Sequence, residues 1–360
     1  MSIRVVSLFS GGGGLDLGFI QEGFDIVWAV DNMRSAVDTY KHNIGDHIVC
    51  ADINTVDLKT IPRCDIVVGG PPCQSFSLIG KRQTEDDRGR LVWRYMDIIK
   101  TLKPKMFMFE NVVGLLSAKN SEGKKILDLL VEEFSSIGYT VTHKVVNAAD
   151  YGVPQHRKRV IIVGVKGKAK FEFPTETHGD GRKEKHVSAK DALSDLGELS
   201  TGQAAYIHLP KTAFQKNIRG TSKRTSGHSA FTLSELDKYI IKHVKPGGNY
   251  MDVPKSVNSK RIRRLQETGG HTTCYGRLSP SKPSYTINTY FNRPNVGCNI
   301  HYDQARLITI REALRLQSFP DNYDLIAKST RDKCTIVGNA VPPIMARAIA
   351  KQIRKHLETV

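Results

Sequence analysis

The chain has 360 residues, 39% of them hydrophobic and 25% charged, which fits a globular protein of two lobes. No apolar run approaches a membrane span, and the opening Met1-Ser2-Ile3-Arg4 passes straight into a strand pattern, with no signal or transit segment in view. Lysine and arginine number 53 against 36 acids, a net charge of +17, and an excess of that size points to a polyanionic partner, nucleic acid first.

The first half alternates strand and helix patterns. Ile3 to Phe9 reads as a buried strand, followed by Ser10-Gly11-Gly12-Gly13-Gly14 and a helix to about Gly23. Asp25 to Val30 is a second strand ending in Asp31, and a helix follows to about Asn43. A short strand over Ile48 to Cys50 ends at Asp52, and Asp65 to Val68 forms a fourth. Tyr95 to Leu102 is helical, Met106 to Phe109 is a strand ending in Glu110, and Gly123 to Ile137 is an amphipathic helix. Thr140 to Asn147 and Val160 to Val165 complete the strands. This alternation predicts an α/β fold, a doubly wound and mostly parallel sheet with helices on both faces.

The texture changes after Phe173. Gly, Ser, Thr, Lys and Arg then dominate, as in Arg219 to Arg224 and Lys260 to Arg264, and predict a second, smaller, basic and loop-rich lobe. Helices return over Thr309 to Gln317 and from Pro343 to the C-terminus. The expected division is residues 1–187 for catalysis and cofactor, 188–309 for target recognition, and 310–360 returning to the first part.

The six cysteines form no C-x-x-C pair and no Cys/His cluster, so free thiols are expected and no metal site. Cys73 stands apart in Gly69-Gly70-Pro71-Pro72-Cys73-Gln74-Ser75. Prolines fix φ and glycines admit a partner close to the backbone, so this sulfur is mounted at the mouth of the sheet as a nucleophile. A small buried hydrophobe is the ordinary alternative. The glycine run after the first strand suits a ligand at a helix N-terminus, but neither G-x-G-x-x-G nor a P-loop lysine is present. Asp31, about twenty residues on, suits ribose hydroxyls, and Asp52 suits an adenine amino group. Together they describe a nucleoside site without a phosphate-binding device, which fits S-adenosylmethionine; taken singly, each acid serves equally as a helix cap. Glu110 falls at the same carboxyl edge as Cys73. In extended chain Gln155, Arg157 and Arg159 face one side, three donors for an anionic or carbonyl-bearing substrate. The polar segment Ser75 to Arg90 reads as a mobile loop that closes over the substrate.

The ordered set Phe9-Ser10-Gly11-Gly12-Gly13-Gly14, Pro71-Pro72-Cys73-Gln74, Glu110-Asn111-Val112, Gln155-His156-Arg157-Lys158-Arg159 and Gly338-Asn339-Ala340-Val341-Pro342 resembles the DNA (cytosine-5) methyltransferases. Arg311 to Asp321 is similar to the segment preceding the last motif there. The resemblance covers Val5 to Val165 and Arg277 onward. It implies Cys73 as nucleophile, Glu110 at the base edge, and Arg157 and Arg159 in the active site. It implies a cofactor pocket of Phe9, Gly11, Gly13, Gly14, Asp31, Asn32, Asp52, Ile53, Pro72 and Leu91, closed by Asn339 and Val341. Asp31 is the shorter of the acids found there, and Asn32 stands where an aromatic is common. Gln74, Ser75, Gln155 and Arg277 are expected at the substrate.

The implied activity is methyl transfer from S-adenosylmethionine to cytosine C5 in double-stranded DNA, by a cytoplasmic monomer accompanied by a restriction endonuclease. Transfer RNA is the rival substrate. The RNA-directed branch usually carries Cys-Phe-Thr before the motif holding Arg277, whereas this chain reads His271-Thr272-Thr273-Cys274-Tyr275-Gly276, which favours DNA. A non-catalytic DNA-binding protein of the same fold is the third reading, opposed by intact Cys73, Glu110 and Arg159.

Overall fold

The computed structural model describes residues 2–72 and 87–359. Seven strands are built from β-branched and aromatic runs suited to a pleated, buried surface. They are β1 Arg4–Leu8, β2 Asp25–Asp31, β3 Ile48–Cys50, β4 Ile66–Gly69, β5 Met106–Val112, β6 Tyr139–Asn147 and β7 Lys158–Lys166. The sheet order is β3-β2-β1-β4-β5-β7-β6. β1 through β5 are parallel, and β7 runs antiparallel to both β5 and β6. Helices α1 Gly14–Gln21, α2 Arg34–Asn43, α3 Asp87–Leu102 and α4 Ile126–Ser136 alternate with the strands. The expected α/β sheet is therefore present, with its strands in the expected places.

Two elements are longer than their sequence patterns. β5 runs through Glu110 to Val112, because β7 pairs with it along its whole length, Val112 opposite Arg159. Glu110 is thus inside a strand. α3 begins at Asp87, so the end of the polar segment Ser75 to Arg90 is helical, and 75–86 lie outside the described residues.

The main core packs α3 and α4 against β4, β5 and β7. Tyr95 sits fully buried at its centre, edge-on to Phe109 at 5.3 Å and to Phe107 and Phe134 at 6.4 Å. Each such pair adds about 0.5–1.5 kcal/mol beyond area burial. The Tyr95 hydroxyl donates to the Met108 carbonyl at 2.9 Å, so the ring is buried without an unpaired polar tip.

The chain divides into two units, and the cut differs from the sequence expectation. The first comprises Met1–Asn147, Lys158–Thr175 and Met345–Val360, the second Ala148–Arg157 and Glu176–Ile344. Residues 148–157 and 176–187 thus belong with the second unit, and the return begins only at Met345. The reason lies in long-range hydrogen bonds such as Thr177 N–H to the Asp150 carbonyl and His156 N–H to that of Ser284, which sequence patterns do not register.

The second unit is short of regular structure. Its helices α5 Ala189–Leu193, α6 Ala213–Arg219, α7 Glu235–His243, α8 Lys260–Thr268, α9 Ile310–Leu316 and α10 Thr330–Asn339 are ten residues or fewer. α11 Pro343–Thr359 closes the chain. Charge does much of the holding. Arg315, fully buried, pairs with Asp195 and Asp321, and Arg306 grips Glu312 through two bonds of 2.7 and 2.8 Å. Burial alone would raise the Glu312 pKa, but Arg306 outweighs it and holds the carboxyl down at about 2. Removing one partner of such a pair costs about 3–5 kcal/mol, because the other charge is left buried. In α8 the basic run is partly used internally: Arg261 donates to the Tyr275 hydroxyl and Arg263 to the Val257 carbonyl. Lys260 and Arg264 remain exposed.

Candidate active site

β1 ends at Leu8 and the chain turns through Phe9 at φ +56° and Gly11 at φ +54°. A non-glycine residue at positive φ is uncommon and concentrates at functional turns. Gly13, at φ +84°, has a second constraint, since a Cβ there would run into Tyr40 and Ile44. Gly11 differs, for a Cβ on it would meet no described atom within 4 Å, leaving open space over the loop.

Asp31, the last residue of β2, organises this turn. Its carboxylate accepts Gly11 N–H at 2.8 Å and Met33 N–H at 2.9 Å. Burial raises its pKa, and those two N–H groups pull the other way. Asp52 is exposed two residues beyond β3 and accepts from Asn54 N–H at 2.9 Å. Ile53 is 4% exposed and belongs to the core, which Leu91 also flanks. Asn32 and Pro72 are exposed. Asp31→Ala is expected to weaken S-adenosylmethionine by about 10- to 100-fold, the worth of a charge-assisted hydrogen bond of roughly 1.5–3 kcal/mol. A calorimetric dissociation constant and the Michaelis constant check it; unchanged values would leave Asp31 as a loop anchor only.

Beneath the loop, Asp16 is fully buried and, among the described residues, has no ion-pair partner. It accepts from the Ser7 hydroxyl at 2.6 Å and the Tyr40 hydroxyl at 2.7 Å. Desolvation wins over both bonds and raises its pKa from 3.8 to about 6. A raised carboxyl weakens folding as pH climbs: the unfolded chain ionises near pH 4, the folded one only near 6. Stability should therefore fall between those values by on the order of 3 kcal/mol. Asp16→Asn keeps an acceptor for Tyr40 and removes the titration. Urea unfolding at pH 4 and pH 7 should show the variant gaining relative to wild type at the higher pH; parallel curves would refute this.

The next strand pair brings carboxylate and guanidinium together. Glu110 on β5 faces Ile161 on β7, so Arg159, two residues before Ile161, shares its face as a diagonal neighbour. Arg159 Nε lies 2.8 Å from Glu110 Oε1, both side chains almost wholly buried. The angle is not that of a hydrogen bond, so buried Oε1 has no hydrogen-bond partner among the described residues. On the other side β4 delivers Gly69 opposite Phe109. A Cβ on the following Gly70 would fall 2.7 Å from Glu110 Oε2, so a side chain there would displace the carboxylate from its present position. The Asn111 amide donates to the Pro71 carbonyl at 2.9 Å and fixes the turn to β5. Gly70 and Pro71 thus lie against Glu110 and Asn111, and the described chain ends here at Pro72; Cys73, Gln74 and Ser75 lie outside the described residues.

Three expected site residues are otherwise employed. β7 starts at Lys158, so the extended alternation placing Gln155, Arg157 and Arg159 on one side does not hold. Gln155, fully buried, accepts from Ile287 N–H and donates to the Leu316 carbonyl. Arg157, 1% exposed, donates to the carbonyls of Ile287 and Gly338 at 3.1 and 2.9 Å. Arg277 donates to the carbonyls of Ile241, His301 and Gln304. All three are anchors within the second unit, because buried backbone carbonyls take donors wherever the fold leaves them short. Asn339 ends α10 exposed, while Val341 is 9% exposed. In the Gly338-to-Pro342 motif the glycine has a reason that the sequence does not display. The reason is steric, since a Cβ there would lie 2.5 Å from Asn288 backbone.

The strand order, with one antiparallel strand beside the edge and a glycine turn after β1, is the fold of the S-adenosylmethionine-dependent methyltransferases. The chain belongs to the C-5 cytosine-specific DNA methylase family, whose model matches residues 3–355. It is 36% identical to the Type II methyltransferase M.NgoFVII of Neisseria gonorrhoeae, over 97% of this chain and 86% of that one. It is 35% identical to M.MthTI of Methanothermobacter thermautotrophicus, over 100% and 99%. A crystal structure assigned as a prophage-encoded DNA modification methyltransferase from E. coli superposes with a TM-score of 0.76 at 25% identity, over 99% of this chain and all of that one. The S. pombe Dnmt2 structure matches at TM-score 0.60 and 18% identity over 99% of both chains, a likeness of fold. The protein is a DNA (cytosine-5) methyltransferase. No helix among the described residues is long and apolar enough to cross a membrane.

Proposed function

We propose that this enzyme methylates cytosine C5 within a short specific sequence of duplex DNA, through a covalent bond from Cys73 to C6, with S-adenosylmethionine as donor. The Glu110–Arg159 pair against the Gly70 turn carries the reading, because it sets an acid and a cation against a residue three positions before Cys73 in the sequence. S-adenosylmethionine supplies an electrophilic methyl group, and the Asp31-tethered turn, with open space at Gly11 and no phosphate-binding lysine, suits a nucleoside of that kind.

Cytosine C5 is a weak nucleophile. Thiolate addition at C6 makes the ring an enamine and C5 carbanion-like, while electron density moves onto N3 and O2. Glu110 serves N3, delivering the proton that the developing charge there requires, and Arg159 stabilises O2 and favours the thiolate. Once C5 has taken the methyl group, loss of its proton to water expels Cys73, N3 returns its proton to Glu110, and the aromatic ring is restored. Inside a stacked duplex none of these groups reaches the base, so the cytosine is flipped out at a cost of roughly a few kcal/mol.

The Type II relatives support a place in a restriction-modification system; the proposal adds a companion endonuclease of the same specificity and a monomeric, cytoplasmic enzyme. Labelled methyl transfer from S-adenosylmethionine to duplex DNA and to transfer RNA tests the assignment. Incorporation is expected in DNA alone, at C5; label in transfer RNA only would overturn it.

A further inference from the structure

The segment Ser284 to Arg293 is an irregular loop whose backbone is nonetheless pinned at Ser284, Ile287, Tyr290 and Arg293. Ser284 N–H donates to the Pro154 carbonyl at 2.9 Å, and the Ser284 carbonyl accepts His156 N–H at 2.8 Å. The Thr286 hydroxyl donates to the His156 carbonyl at 2.7 Å. Ile287 is held on both sides, its N–H by Gln155 and its carbonyl by Arg157. Asn288 packs so close to Gly338 that no side chain fits between them. Further along, Asn288 Oδ1 accepts Tyr290 N–H at 2.7 Å, and Phe291 is fully buried, its ring 6.0 Å from that of Phe231.

What this rigid frame presents is unusual for a surface loop. Tyr285 is 57% exposed and Tyr290 42% exposed, while Ile287 and Phe291 between and beside them point inward. Arg293 is exposed too, and its guanidinium carbon lies 5.1 Å from the centre of the Tyr290 ring. A single exposed aromatic calls for no explanation. Two tyrosines and an arginine on a frame stiffened by buried side chains are the composition of a recognition surface. Stacking on Tyr290 restricts the guanidinium, so less freedom is lost when its planar fork meets a base edge.

We infer that Tyr290 and Arg293 contact the substrate duplex, and that Arg293 selects the base at one position of the recognised sequence. The inference rests on the function proposed above. A guanidinium reads guanine through O6 and N7, so that base is the expected preference. Gln155 and Arg157 act as positioning residues for the loop.

A pool of duplexes with randomised positions around one cytosine tests this, methylated sites being read by sequencing after conversion of unmodified cytosines. Wild type should return one consensus containing a guanine. Arg293→Ala should lose at least fivefold of the preference at one position and keep the others, and Tyr290→Ala should lower kcat/KM on the consensus about tenfold. Melting temperatures within a few degrees of wild type would show both variants folded. An unchanged consensus and rate would overturn the inference, as would a uniform loss across sequences with a flatter salt dependence, the mark of a phosphate contact. Absence of 5-methylcytosine with wild type would instead overturn the functional reading beneath it.

Discussion

Cys73→Ser should yield an enzyme that binds S-adenosylmethionine and DNA much as wild type does and transfers no detectable methyl group. The hydroxyl is a far weaker nucleophile at neutral pH, and no methyl transfer precedes addition at C6. The other thiols are poor substitutes. Burial pushes Cys64 and Cys298 up to about 12 and Cys334 to about 11, so they stay protonated, and burial raises Cys274 as well. The thiolate is the attacking species, and such groups rarely supply it. Duplex carrying 5-fluorocytosine should trap the wild type covalently, because fluorine cannot leave as a proton does. Denaturing electrophoresis detects the complex, and mass spectrometry of the linked peptide locates it. A link at any other cysteine, Cys50 included, would remove Cys73 from the mechanism.

Glu110→Gln is expected to lower kcat by about 10²–10⁴-fold, the usual worth of a positioned proton donor. The amide keeps the carboxylate's shape, and Gly70 still passes beside it, but it cannot deliver a proton to N3. It also leaves Arg159 without its counter-charge, at a cost of order 3 kcal/mol for a pair this deeply buried. Unfolding curves must therefore accompany the kinetics. The decisive comparison is kcat against the Michaelis constant for S-adenosylmethionine. Loss confined to kcat fits a group acting on the base; loss of cofactor affinity with kcat retained would make Glu110 structural.

Much of this protein is legible in one dimension. Residues 3–165 announce their strands and helices because each strand is a short, dense β-branched or aromatic run with turn residues on either side. The Gly-Gly-Pro-Pro lead to Cys73 and the glycine run after β1 are local backbone devices, and local devices survive in sequence. The nature of the chemistry was readable for that reason.

Partnership required the folded chain. Nothing local tells Arg157 from Arg159, two residues apart and identical in type, yet one holds the carbonyls of Ile287 and Gly338 and the other meets Glu110. The difference arises where β7 begins, which is fixed by its pairing with β6 at Lys158 and with β5 from Arg159 on, and not by the Gln155-to-Arg159 run itself. Gln155 and Arg277 look like substrate donors in sequence and serve as anchors in the fold, because a loop-rich unit leaves buried carbonyls that only long side chains reach. Gly70 and Gly338 look like ordinary turn glycines until Glu110 and Asn288 are found against them. Sequence alone determined the elements and the family to which the chain belongs, since both follow from neighbours along the chain and from local motifs. Which arginine meets Glu110, which glycine lies against another residue and where the units divide were decided by contacts between residues far apart in sequence, and those exist only once the chain has folded.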